Sequence, residues 1–119
     1  MREPPAPQTP KSLFVSLGIG DTDTPNPTTW SFTQAMGAQP ILLMLSTVDT
    51  LGLAGLTPGS APTASNVAGG AATGVMLQYT PPPKRDGHFV IFDVAAARDQ
   101  SNRFLATHAR DGIATLTAP

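Results

Sequence analysis

The fold prediction rests on the stretch GVMLQYTPPPKRDGHFVIFDVAAARDQSNRFLATHARDGIATLTA, residues 74–118. It contains four short runs of apolar and β-branched residues, at 74–80, 88–94, 103–109 and 113–118. Gly, Pro, Asn and Asp separate the runs, and runs of this length between turn residues are typical of β-strands. We therefore expect four strands in the last third of the chain.

The two final runs predict a hairpin. Asp111 and Gly112 favour the positive φ angles of a two-residue turn. With that turn, Thr107 lies opposite Leu116 and the pairing gives one mostly apolar face and one polar face. A slip of one residue would mix the two faces, so the pattern favours a single register.

The first half predicts three more strands. The run LFVSLGIG (13–20) has the alternation of a half-buried strand, TTWSFTQ (28–34) places Trp30 and Phe32 on one face, and PILLMLSTV (40–48) is apolar on both. Together these seven runs predict an all-β fold, a sandwich or barrel of about seven antiparallel strands.

Two segments do not fit a strand pattern. Residues 1–12, MREPPAPQTPKS, contain four prolines and predict an extended N-terminal arm in polyproline II conformation. Residues 49–73 are rich in Gly, Ala, Ser and Pro and predict a long neutral loop, with a helix there as the alternative. The whole chain has 119 residues, the length of one domain, so residues 13–119 are expected to form a single β-rich domain.

Charge is unevenly distributed along the chain. Between Thr24 and Pro83 the only formally charged side chain is Asp49, whereas a stretch of that length ordinarily carries about 15. A surface so short of charge is in lipid, covered by neighbouring subunits, or coated with neutral polar residues. Leu51, Leu53 and Leu56 of the predicted loop would be exposed unless they fold back on the sheet or meet another chain.

Composition argues against several classes of function. Without cysteine the chain has neither disulfides nor thiolate metal sites. A formal charge of −1 argues against nucleic-acid binding or membrane adhesion through a basic surface. The longest apolar window is interrupted by Asp49 and falls short of the ~20 residues of a membrane span.

No pattern of catalytic residues stands out. The pair Asp21 and Asp23 lacks the glycine and glutamate of a calcium loop, so turn carboxylates are the favoured interpretation. His88 and His108 have no nucleophile signature nearby. Asp93 is expected to cap a short helical turn that follows it. We therefore predict that the protein is not an enzyme and needs no cofactor or metal.

An extended N-terminal arm, short β-runs and loops such as APTASNVAGGAATG (61–74) resemble the small decoration, or cement, proteins of tailed bacteriophage heads. The resemblance implies a virion structural protein on the capsid surface that binds and reinforces the major capsid protein, often as a homo-oligomer, without nucleic acid or membrane partners. The residues expected to make the contacts are Arg2, Pro4, Pro5, Pro7 and Pro10 of the arm and Leu51, Leu53 and Leu56 of the loop.

A different class of function is the alternative. Trp30, Tyr79 and the pair Asp21/Asp23 could form an exposed face of a carbohydrate-binding or adhesion β-module, because aromatic rings stack on sugars. Core packing is the favoured role of Trp30, which alternates with Phe32. An enzyme would instead need a histidine in a pocket with a carboxylate in reach.

Overall fold

The computed structural model describes residues 8–40 and 58–118, which form a mixed α/β fold. The all-β sandwich or barrel of about seven strands is wrong, because three runs that were predicted to be strands are helical. In chain order the elements are β1 (Leu13–Gly18), α1 (Asn26–Met36), β2 (Gln39–Pro40), β3 (Thr63–Ala64), β4 (Gly74–Tyr79), α2 (Val90–Asp93), α3 (Ala95–Asp111) and β5 (Thr115–Leu116).

The main sheet of the described residues has three parallel strands in the order β1-β4-β2. Pairing of β1 with β4 runs from Leu13 opposite Gly74 to Gly18 opposite Tyr79. A second, antiparallel pair joins β3 to β5. The strands predicted at 13–20 and 74–80 are present as Leu13–Gly18 and Gly74–Tyr79, but their expected antiparallel arrangement is wrong.

The core lies on both faces of the main sheet. One face of β4 carries Val75, Leu77 and Tyr79, which pack with residues of α3 and β5 such as Phe104 and Leu116. On the other face, Met76 packs with Val15 and Leu17 of β1, and Trp30 of α1 covers them. Every residue of β4 is buried. The sequence of a strand that is covered on both faces is a nearly continuous apolar run, which is typical of parallel sheets.

The expected strand at 28–34 is the centre of α1. Pro27 fits the first turn of a helix, where its missing N–H costs nothing. At the other end Gly37 adopts a left-handed conformation, and Gly37 N and Ala38 N donate to Gln34 O and Thr33 O. This pairing is a Schellman motif, which ends the helix.

The predicted hairpin at 103–118 is also wrong, because residues 95–111 form α3. The buried residues Ala97, Gln100, Phe104 and Thr107 follow each other at intervals of three or four, the spacing of one helix face. Gly112 does have a positive φ of 76°, but it ends α3 instead of turning a hairpin. The hydroxyl of Thr107 bonds the backbone of Thr115, and so fixes β5 against the helix.

The expected strand at 88–94 is a 3-10 turn, Gly87–Phe89, that continues into α2. A helix does follow Asp93, as predicted, but Asp93 does not cap it: α3 begins after Val94 without a side-chain cap. Instead, Asp93 accepts from the guanidinium of Arg85 at 2.7 and 3.2 Å. That bond lowers the pKa of the Asp93 carboxyl.

The neutral loop predicted at 49–73 lies partly outside the described residues. Its described part, 58–73, contains the short strand β3 and a 3-10 turn, Ala68–Gly70, so it is neither a structureless loop nor an α-helix. Asn66 holds this part to the main sheet through two 2.9 Å bonds with the backbone of Gly74.

Candidate functional site

The candidate site lies where β1 and β4 end. Parallel strands end at the same edge of a sheet, and ligands of open α/β sheets commonly bind there. The backbone bond from Ile19 N to Tyr79 O, 3.0 Å, shows that the two strands leave the sheet side by side. The loop from 19 to 25 and the segment from 80 to 87 therefore start as neighbours.

Two glycines bring these segments into backbone contact. A Cβ on Gly18 would lie 2.0 Å from Gly87 O, and a Cβ on Gly87 would lie 2.6 Å from Gly18 O. Neither distance is compatible with a side chain. Glycine at both positions is what permits the approach.

Asp86 connects the two segments through its carboxylate. It accepts from the backbone N–H of Thr22 at 3.3 Å, from the Thr22 hydroxyl, and from the N–H of His88 at 2.8 Å. The last of these bonds caps the 3-10 turn. The Thr22 hydroxyl, followed by the His88 N–H, lowers the pKa of the Asp86 carboxyl.

The β1–α1 loop is ordered by its own polar side chains. Asp21 Oδ1 accepts from the N–H groups of Asp23 and Thr24, at 3.0 and 2.7 Å. Asn26 donates to Gly18 O at 2.7 Å and accepts from Gly20 N at 3.1 Å. Asp21 thus forms the turn carboxylate predicted from the sequence.

The imidazole of His88 lies beside the carboxylate of Asp21. Its Nδ1 lies 3.3 Å from Asp21 Oδ1 and 3.4 Å from Oδ2. The His88 side chain is 40% exposed and the Asp21 side chain 12%. A carboxylate beside one ring nitrogen orients the imidazole. The hydroxyl of Thr22, in the same loop as Asp21, donates to Asp86.

His88 is also part of an exposed aromatic surface. We call Arg85, His88, Phe89 and Phe92 the α2 aromatic surface. The rings of Phe89 and His88 meet edge-on, with their centroids 5.1 Å apart. The Arg85 guanidinium lies 5.9 Å from the centroid of the Phe89 ring. Phe89 and Phe92 are three residues apart on a helical segment and so share a face. They are 42% and 71% exposed.

Most of the contact residues predicted from the sequence fall outside the described residues: Arg2, Pro4, Pro5, Pro7, Leu51, Leu53 and Leu56. Pro10 is described and is half-buried, in a cavity between the arm and α3. The structure therefore does not place Pro10 at the candidate site.

The residues of the alternative carbohydrate face are not brought together on one exposed surface. Tyr79 is buried, and its hydroxyl donates to Gln100 at 2.7 Å. Burial raises the pKa of that hydroxyl. Trp30 packs against the apolar face of β1, in line with the core role favoured from the sequence. His108 is exposed, as expected, but on a helix and not on a strand.

Sequence reasoning did not connect Asp86 with Thr22 or His88 with Asp21. Each contact joins residues more than sixty positions apart. The available signal was Gly18, because a glycine within an apolar strand often marks a close backbone approach.

The described residues contain neither a metal-ligand cluster nor a membrane-spanning helix. Within 8–40 and 58–118, no three His, Asp or Glu side chains converge to hold a metal ion. In the same ranges, each helix is too short or too polar to cross a bilayer.

Comparison with known proteins gives no match: no protein family, no curated protein and no solved structure is similar to this chain. The functional proposal therefore rests on the residues of this chain alone.

Proposed function

We propose that this protein is a structural or assembly protein that binds protein subunits through its α2 aromatic surface, and that it associates with itself. The observation that carries the proposal is the exposure of Phe92, 71%, beside Phe89. Burial of a phenylalanine side chain contributes about 1.5–3 kcal/mol. Two rings on one face therefore supply a substantial gain when a partner covers them.

The composition of the surface supports the same proposal. Aromatic residues and arginine are enriched in protein interfaces and in the few residues that contribute most of the binding energy. Here Arg85 lies over Phe89 and is also held by Asp93. The guanidinium is thus positioned beside the rings before any partner arrives.

The surface is also held in place by the fold. Arg98 donates to Phe92 O at 3.1 Å, and the Asp86 carboxylate fixes the start of the helical segment. A surface that is ordered before binding loses less conformational entropy when a partner docks.

The larger assembly is not defined by these contacts. The resemblance to bacteriophage decoration proteins rested in part on a β-rich chain, and the α/β fold removes that part. The arm and the neutral segment remain as its basis, so a capsid surface stays a prediction from the resemblance alone.

Sedimentation equilibrium of the full chain tests the proposal. We expect a mass above that of the monomer, and a return to the monomer for Phe92→Ser. Phe32→Ser is the matched control, because Phe32 is also exposed, 48%, but lies on α1. A monomer at all concentrations, or an equal effect of the two substitutions, would overturn the proposal.

A second sample without residues 1–12 tests the predicted arm. If the arm adds contacts, its removal weakens self-association while thermal melts show that the fold persists. An unchanged mass would limit the interface to the α2 aromatic surface. Loss of association in this sample alone, with Phe92→Ser unaffected, would move the interface to the arm and contradict the proposal.

The contact between His88 and Asp21 favours a second candidate function, hydrolysis with His88 as general base. Hydrolysis of p-nitrophenyl acetate by the full chain, compared with His88→Asn, tests it. His108→Asn is the matched control, since the chain has two histidines. A catalysed rate lost only in His88→Asn would favour the enzyme, and equal rates for all three would remove it.

A further inference from the structure

A cavity of about 440 Å³ lies between residues 9–12 of the arm and α3. Small-molecule sites commonly measure roughly 300–1,000 Å³. This cavity shares no residue with the α2 aromatic surface or with the loops at the end of β1 and β4. We call it the arm–α3 cavity.

The arm–α3 cavity has an apolar part in its lining. Phe104, Leu105, Ala71 and Ala114 line it. Phe104 is a core residue that is 3% exposed, and its ring centroid lies 5.5 Å from that of Phe14, so this part of the lining is packed into the core. Leu105 also lines the cavity and is 62% exposed overall, so part of its apolar side chain is available for a ligand to cover.

The polar groups of the cavity come mainly from the arm. Lys11 contributes an ammonium group whose only described bond is a long one, 3.4 Å, to the Thr9 hydroxyl. It belongs to none of the ion pairs among the described residues. Ser12 and His108 add further hydrogen-bonding groups. No acidic side chain is among the described residues that line the cavity.

We propose that the arm–α3 cavity binds a small amphipathic carboxylate. Its apolar chain lies on Ala71 and Leu105, which line the cavity and are exposed, and its carboxylate accepts from the ammonium of Lys11. Charge complementarity selects the ligand class: among the described residues Lys11 has no acidic partner and no acid lines the cavity, and such a cation beside apolar surface favours an anion with an apolar body. The ligand would also connect residues 9–12 to α3.

Calorimetric titration with decanoate below its micelle concentration tests the proposal. We expect binding to the full chain, with decanol weaker, and amide NMR shifts near Ala71, Leu105 and His108. Lys11→Met keeps an unbranched side chain, one atom shorter, and removes the charge, and is expected to weaken decanoate binding about five- to tenfold. Ala71→Trp places a ring at an exposed position that lines the cavity, and is expected to abolish binding.

Lys84→Met is the matched control, since the chain has two lysines and Lys84 does not line the cavity. It should bind decanoate as the unchanged chain does, and thermal melts verify that each variant is folded. Absence of binding to the full chain, equal affinities for the two lysine variants, or shifts centred on Phe92 would each overturn the proposal. If Ala71→Trp fails to fold, the comparison of the lysine variants decides.

Discussion

The sequence Arg-Asp-Gly occurs twice, at 85–87 and at 110–112, and the two copies have opposite roles. In the first, Asp86 joins two segments and Gly87 is buried against Gly18. In the second, Asp111 ends α3 and Gly112 is exposed, with nothing within 4 Å of a hypothetical Cβ. Identical residues therefore differ in what they contribute, because their neighbours come from elsewhere in the chain.

The two glycines are needed for different reasons. Gly87 is needed for space, since its backbone touches that of Gly18. Gly112 is needed for its backbone conformation, φ 76°, which glycine adopts without strain. A side chain at position 87 would force the neighbouring backbone to move. A side chain at position 112 would only add the strain of a left-handed backbone conformation. Substitutions at the two positions should therefore separate clearly.

The largest effect is expected for Gly87→Ala. The new methyl would lie 2.6 Å from Gly18 O and 2.7 Å from Asp21 N, both backbone atoms. We expect a loss of about 3 kcal/mol or more in the free energy of unfolding, because overpacking forces the backbone to shift. Urea denaturation measures it. A loss no greater than that of Gly112→Ala would contradict the proposed contact.

The next largest effect is expected for Asp86→Asn. The substitution weakens the bonds to Thr22 and His88, including the cap of the 3-10 turn. We expect a fall of a few degrees in Tm at neutral pH, larger than for Gly112→Ala. The fall should depend on pH. Because the folded-state pKa of Asp86 lies below its ordinary value of 3.8, the carboxylate stabilises the protein above that value.

That stabilisation should be lost as the pH falls through the lowered pKa of the folded state. The Tm difference between the unchanged chain and Asp86→Asn should therefore be complete at pH 6 and shrink at pH values below 3.8. Thermal melts across this range measure the difference. A gap that stays constant down to the lowest accessible pH would show that the charge of Asp86 is not what connects the segments.

A smaller effect is expected for Gly112→Ala. The methyl meets no atom, so only the cost of the left-handed conformation applies, about 1 kcal/mol. Gly112→Asn should cost less, because asparagine adopts this conformation more readily than alanine. Urea denaturation of both variants provides the measurement. A larger loss for asparagine would mean that space, and not conformation, limits this position.

These two glycines also explain how far the sequence predicted the fold. A two-residue hairpin turn and the end of a helix both need a residue with positive φ, and glycine supplies it in either case. Gly112 is therefore compatible with both structures. A hairpin and a helix end are distinguished by the spacing of the apolar residues that precede the glycine. The buried positions Ala97, Phe104 and Thr107 have helical spacing, but the short run 103–109 by itself also fits a strand.

The strands were predicted correctly where one chain segment determines its own pattern. The alternation at 13–18 and the apolar run at 74–79 are local features, and both are strands. Their parallel pairing was missed because it depends on helices that cover both faces of the sheet. Asp21 was predicted as a turn residue from its neighbours alone, whereas its contact with His88 depends on the pairing of β1 with β4.

The smallest effect is expected for Asp111→Asn. Arg110 donates two 2.7 Å bonds to Asp111, and these bonds lower the pKa of the Asp111 carboxyl. The partners are adjacent in sequence and exposed, so the pair can also form in the unfolded chain and adds little to stability. Asp111 also places a negative charge at the C-terminal end of α3, which the helix dipole disfavours. We therefore expect a Tm equal to that of the unchanged chain at neutral pH. A fall as large as that of Asp86→Asn would mean that the second copy, like the first, connects distant parts of the fold.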